Sequence, residues 1–195
     1  AEGNGKPPLY SPKHTMNNAN NSNSNNSVKG VHNVNTSLGR DDHAGQVILD
    51  RQPATVRISI NNIIKIGTWN VRTMYQKGKL ENIKKEMNRL KINLLGLSEV
   101  RWKHAGSFKT DDFTMLYSGG DQHERGVGVL LNKETSKAIK GFWAISDRII
   151  LVKLQGKPFD ISIIQCYAPT SDYDDVAIAN FYEQLDEAYK QCKSQ

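Results

Sequence analysis

Two side chains near the middle of the chain have the types and the spacing to act on a phosphate. Asn70 closes the run K-I-G-T-W-N, residues 65–70, and Glu99 follows the apolar run I-N-L-L-G-L-S, residues 92–98. An amide and a carboxylate placed side by side can orient a phosphate and hold a divalent cation. The carboxylate both ligates a hard cation and offsets its charge. Taken singly, Asn70 reads as a turn residue and Glu99 as a solvated loop acid. The chemistry depends on whether the chain brings them together.

The residues between them supply the means. Leu80, Ile83, Met87 and Leu90 recur at helical spacing, which predicts an amphipathic helix over 80–90. The run before it, 63–68, reads as a strand, and so does 92–98, apolar enough to be covered on both faces. If the two strands run parallel, this strand–helix–strand unit delivers Asn70 and Glu99 to one edge of a sheet. Trp69 reads as a packing residue. Arg101, Trp102, Lys103 and His104 follow Glu99 in a loop whose basic and aromatic side chains suit a nucleic-acid strand. The competing reading is a surface loop with one packing tryptophan.

Further strands are expected at 113–118 and 125–131, with a turn at Gly119–Gly120–Asp121. The segments 147–154 and 159–167 read as strands joined by the hairpin signal Q-G-K-P. In the second, Ile161, Ile163 and Gln165 share one face, and Ser162, Ile164 and Cys166 the other. A last helix is predicted over 174–190, with Ile178, Phe181, Leu185 and Ala188 as its core stripe. The aspartates at 172, 174 and 175 favour its N-terminus.

Three motifs carry a resemblance: T-W-N-V at 68–71, L-S-E-V at 97–100 and Q-C-Y-A-P at 165–169. In order and at this spacing, they resemble the endonuclease/exonuclease/phosphatase superfamily, and most of all its non-LTR (LINE-type) retrotransposon branch, over about 63–195. The resemblance implies a DNase I-like α/β fold and magnesium-dependent hydrolysis of DNA phosphodiesters. It implies that Asn70 positions the active-site acid and the phosphate, that Glu99 ligates Mg2+, and that Tyr167 donates a hydrogen bond to the phosphate. The same resemblance assigns DNA contacts to Arg101, Trp102 and Lys103, and a nuclear location follows from the substrate. The family's later Asp-x-Asn and its terminal Asp-His have no counterpart that fits the motif order; Asp111, Asp112, His104 and His123 match neither. The expectation is therefore the N-terminal half of a two-layer β-sandwich flanked by helices, with an inner sheet face left uncovered and no DNA cleavage by this chain. A non-catalytic fragment that binds nucleic acid or a protein is the alternative, and a phosphatase of the same superfamily is another.

Composition sets the frame. Of 195 residues 37% are hydrophobic, and few of these precede Ile58, so the core must come from the last two-thirds. Residues 1–45 are an Asn/Ser-rich tract with Pro7, Pro8 and Pro12, too polar to offset the entropy of ordering. Residues 1–62 are read as a disordered arm and linker, in which 46–60 could hold a short edge strand, and 63–195 as the domain. Net charge is +6 and the isoelectric point near 9.2, a modest bias toward polyanions. Cys166 and Cys192 give no disulfide framework. No run is apolar enough for a membrane span.

Overall fold

The structure, a computed structural model, describes residues 46–47, 56–59 and 63–193. The expected disorder of 1–45 lies outside the described residues. Among the described residues, eleven strands and three helices follow one another as β1 (Gln46–Val47), β2 (Ile58–Ser59), β3 (Ile66–Asn70), α1 (Lys79–Leu90), β4 (Leu94–Ser98), β5 (Ala105–Thr110), β6 (Phe113–Ser118), β7 (Val127–Asn132), α2 (Lys133–Ser136), β8 (Ile139–Ser146), β9 (Ile149–Leu154), β10 (Gly156–Lys157), β11 (Ile161–Cys166) and α3 (Asp175–Lys193).

The strand–helix–strand unit forms as its periodicity requires. β3 and β4 are parallel, with Asn70 opposite Ser98. α1 makes the crossover and presses Ile83 and Met87 onto the outward-facing Leu95 and Leu97 of β4. Lys91 ends the helix in the left-handed region, φ 56°, and Ile92 N donates to Met87 O, which turns the chain into β4. The rest of this sheet is antiparallel, in the order β3-β4-β7-β6-β5.

A second sheet, β1-β8-β9-β11, lies against it. Period-two alternation fills the space between them: Leu94, Leu116, Val129 and Leu131 from the first sheet share one apolar cluster with Phe142, Ile150, Val152 and Leu154 from the second. On the far side, Phe181 and Ala188 of α3 cover Ile149, Ile145 and Ile164. The architecture is helix on sheet on sheet on helix, the DNase I-like arrangement expected. Among the described residues no helix is long and apolar enough to cross a membrane.

Two expectations need correction. The inner sheet face is not left bare, because β8, β9 and β11 already make a second sheet that covers it. What the described residues leave open is lateral: β3 and β11 each have a neighbour on one side only. Trp69 shows the consequence, for on edge strand β3 it is 43% exposed instead of packed. The boundary at residue 62 also moves. β1 pairs with β8, β2 pairs with β10, and Ile58 enters the inner core, so parts of the stretch read as linker belong to the domain.

Gly119 pins the turn after β6 to the loop after β4. A Cβ there would stand 1.8 Å from the Trp102 carbonyl oxygen, a backbone atom that cannot step aside. Gly119 N donates to His104 O at 2.7 Å, and His104 N to Gly120 O at 3.0 Å. Gly119→Ala should therefore cost about 2 kcal/mol of stability. An unchanged urea midpoint would show that this crossing is not held as tightly as its geometry says.

Candidate functional site

Register brings the site together at one end of the sandwich. Asn70 ends β3, Glu99 follows β4, Arg125 and Gly126 precede β7, Arg148 precedes β9, and Tyr167 follows β11. Ser98 pairs with both Asn70 and Val127, and Cys166 with Ile149. The two sheets are tied here by Gln165, whose Nε2 donates to Ser98 Oγ at 3.2 Å. Gly96 makes room for that side chain; a Cβ on it would meet Gln165 Oε1 at 1.9 Å.

Glu99 is the hub. Asn70 Nδ2 donates to its Oε1 at 2.8 Å, and Tyr167 OH donates to the same oxygen at 3.1 Å. Arg101 Nη2 donates to Oε2 at 2.9 Å. The amide of Asn70 is oriented in turn by Arg72 N, which donates to its Oδ1 at 3.1 Å. Three donors on one carboxylate favour its ionised form. The Asn70 amide does most to hold it below the usual carboxylate range, burial opposes this, and Arg101 and Tyr167 add to it. Burial and then the facing carboxylate push the Tyr167 phenol up, so it stays protonated and remains a donor.

Tyr167 is itself clamped. Its N–H donates to Arg148 O at 2.8 Å, and Arg148 Nη1 donates to Tyr167 O at 2.9 Å. The buried Arg148 guanidinium also stands 5.3 Å from the Tyr167 ring centroid and 4.8 Å from that of Tyr173. Arg125 is held beside them by Asp147 at 3.0 Å.

The three motif side chains thus meet, as the resemblance implied. The loop residues assigned to DNA divide. Arg101 faces the site. Trp102 is half-buried, its ring 5.1 Å from Tyr117 and 5.7 Å from Phe108, which is the packing reading. Lys103 is half-buried outside the cavity. That cavity measures about 270 Å³ and is lined by Glu99, Arg101, His123, Glu124, Arg125, Tyr167 and Tyr173. His123 and Arg125 belong to none of the three motifs. The signal that would have found them is topological: β7 lies beside β4, so the residues leading into β7 must flank the residue leaving β4. Asp174, read as a cap, is one, accepting Ala177 N at 2.7 Å.

A larger cavity, about 410 Å³, opens at the opposite end of the first sheet, around Lys84, Asp111 and Lys133. Lys84 is buried there in ion pairs with Glu81 and Asp111 that tie α1 to the β5–β6 turn, a structural arrangement.

The donor set suits a hard cation of the magnesium type. Among the described residues no three His, Cys, Asp or Glu side chains gather as a protein cage. Glu99 and Glu124 both lie on the wall of this open cavity, and magnesium is commonly held by one or two carboxylates, with waters and substrate phosphates completing its shell.

No protein-family model matches the chain. Over 121 residues, 62% of the chain, it is 44% identical to craniofacial development protein 2 of Bos taurus and 42% identical to that of Tragulus javanicus. It spans about a fifth of the length of these curated relatives, 20% and 21%. Among solved structures, it resembles the AP endonuclease LMAP from Leishmania major, with TM-score 0.50 and 13% identity over 66% of this chain and 47% of that one. It also resembles a 3′ phosphatase, NExo from Neisseria bound to a product DNA hairpin, with TM-score 0.50 and 16% identity over 66% and 52%. At these identities the structural likeness establishes the fold.

Proposed function

We propose that this chain, whose fold is DNase I-like, belongs to the endonuclease/exonuclease/phosphatase superfamily and forms one part of a magnesium-dependent DNA phosphodiesterase site of retrotransposon type. The observation that carries this reading is the convergence of Asn70 and Tyr167 on Glu99, at 2.8 and 3.1 Å. Glu99 would hold the cation. When bound, Mg2+ supplies Lewis-acid stabilisation of charge on the phosphate oxygens.

The chain's own residues supply the rest. Asn70 fixes the carboxylate rotamer through its amide and carries the orientation set by Arg72 N. Tyr167 offers a phenolic proton without adding charge, so it can turn from Glu99 to a phosphate oxygen. Arg148 keeps the Tyr167 main chain and ring in register while the hydroxyl changes partner. Arg101 and Arg125 are the two guanidiniums on the cavity wall, and each can contact a phosphate of a polyanion. The motif run at 68–71, 97–100 and 165–169 supports the retrotransposon branch, with DNA as the substrate.

Turnover needs a base for the attacking water and an acid for the leaving oxygen. The side chains gathered at this site include no Asp-x-Asn acid, so the 195-residue chain is expected to bind DNA and leave it uncut. A supercoiled-plasmid assay with magnesium, run on the wild type and Glu99→Ala, tests this. Nicking by the wild type that disappears in the variant would overturn the expectation of no cleavage. Salt-sensitive DNA retention by the wild type, weakened by Arg125→Ala, is the expected result.

A further inference from the structure

Arg101 closes the ring of donors around Glu99, and it occupies the oxygen that Asn70 and Tyr167 leave open. Its main chain is not free to follow its side chain. Arg101 N donates to Arg125 O at 2.9 Å, Val100 N to Gly126 O at 3.0 Å, Met74 N to Val100 O at 3.1 Å, and Thr73 N to Glu99 O at 2.8 Å. Between the two charged residues Val100 is buried. The His123 ring, stacked edge-on against Tyr75, faces the Arg101 carbonyl through Nδ1 at 3.2 Å. φ values of 56° at Glu99 and 62° at Arg101 are strained for both residues, and both side chains line the same cavity. The ion pair is therefore built into the backbone, while the Arg101 side chain, 44% exposed, keeps room to swing.

A guanidinium and a divalent cation cannot share Oε2, since like charges about 4 Å apart repel. We propose that Arg101 exchanges with the cation: it neutralises Glu99 in the cation's absence and, once displaced, offers its planar fork to a phosphate of the DNA strand. This rests on the reading of Glu99 as the cation ligand. Arginine suits both partners, because its paired N–H groups match a carboxylate and a phosphate alike. A direct consequence is coupling. DNA binding to the cation-free chain must first break the Arg101–Glu99 pair, whereas with the cation bound the pair is already broken. Cation and DNA then strengthen each other's binding by the same factor.

The test is calorimetric titration of the 195-residue chain with magnesium chloride and with a short DNA duplex, each with and without the other. For the wild type, magnesium should tighten DNA binding about tenfold, and DNA should tighten magnesium binding equally. Arg101→Ala should bind magnesium about fivefold more tightly without DNA, because the competing charge is gone, and should lose the coupling. An Arg101→Ala chain that binds magnesium no more tightly than the wild type, or that keeps the coupling, overturns the exchange. Glu99→Gln separates the two readings. Magnesium binding that survives in Glu99→Gln, or is missing from both wild type and Arg101→Ala, refutes the cation reading itself. Binding lost only in Glu99→Gln, with Arg101→Ala like the wild type, refutes the exchange alone.

Discussion

Phe142→Ala should remove about 4 kcal/mol of folding stability. Phe142 is fully buried on β8, between Val47 of β1 and Val152 of β9, and its ring belongs to the cluster that also holds Leu116 and Val129 from the opposite sheet. Truncating it leaves a cavity that two stiff sheets cannot both close, so the transfer loss and the void add. The size of the effect decides an architectural point. Were the inner face of the first sheet uncovered, as the motif spans suggested, Phe142 would be partly solvated and its removal would cost under about 1 kcal/mol. Denaturant unfolding of the wild type and variant distinguishes the two. Phe159→Ala is the control: its ring is 80% exposed, and its removal should change stability by less than about 0.5 kcal/mol.

That misreading shows where periodicity stops being informative. β6 was legible to the residue, because F-T-M-L-Y-S is rich in aromatic and apolar residues and glycines follow it. α1 was legible because its stripe is regular, although Leu90 is half exposed where the helix overhangs edge strand β3. β8 was not legible. Its register shifts between Ile139 and Gly141, and again between Ala144 and Ser146, and each shift resets the alternation by one residue. With β8 unseen, β9 and β11 looked like a lone hairpin, and the second sheet went uncounted. β5 was missed for another reason. A-G-S-F-K-T is an edge strand held by β6 alone, and its only large apolar side chain, Phe108, is partly exposed.

The site was legible to a different depth. Asn70 and Glu99 belong to motifs at strand ends that parallel pairing would bring together, and the family resemblance added Tyr167 to them. Arg125, His123, Arg148 and Tyr75 belong to no motif. Arg125, His123 and Arg148 reach the site because β7 and β9 begin where β4 and β11 end, a consequence of antiparallel register that needs the sheet order to be known, and Tyr75, in the loop after β3, joins them by packing on His123. Trp102 illustrates the converse. Its neighbours made it look like a nucleic-acid contact, but Tyr117 and Phe108 offer it an aromatic bed, and burial of a large ring outweighs display.

On the proposed cation reading, Glu99→Gln should weaken magnesium binding about a hundredfold or more, since it removes a carboxylate from a shell to which the protein contributes few ligands. The same variant makes the electrostatics measurable without any cation. Asn70, Tyr167 and Arg101 all donate to the ionised carboxylate, and their loss or rearrangement should cost about 1–2 kcal/mol at neutral pH. The sign with pH follows from the direction of the shift. The folded carboxyl lies below its ordinary value of 4.5, so its stabilisation is present above that value and lost as pH falls through the folded one. Wild type should therefore melt higher than Glu99→Gln at neutral pH, and the gap should close in acid as pH falls from 4.5 through the carboxyl's lowered folded value. A gap that persists or widens in acid would mean that ionised Glu99 is not what the three donors hold. Side-chain carbon NMR of Glu99 reads the shift directly. Asn70→Ala and Arg101→Ala should each raise its titration midpoint, because each removes a donor that favours the anion.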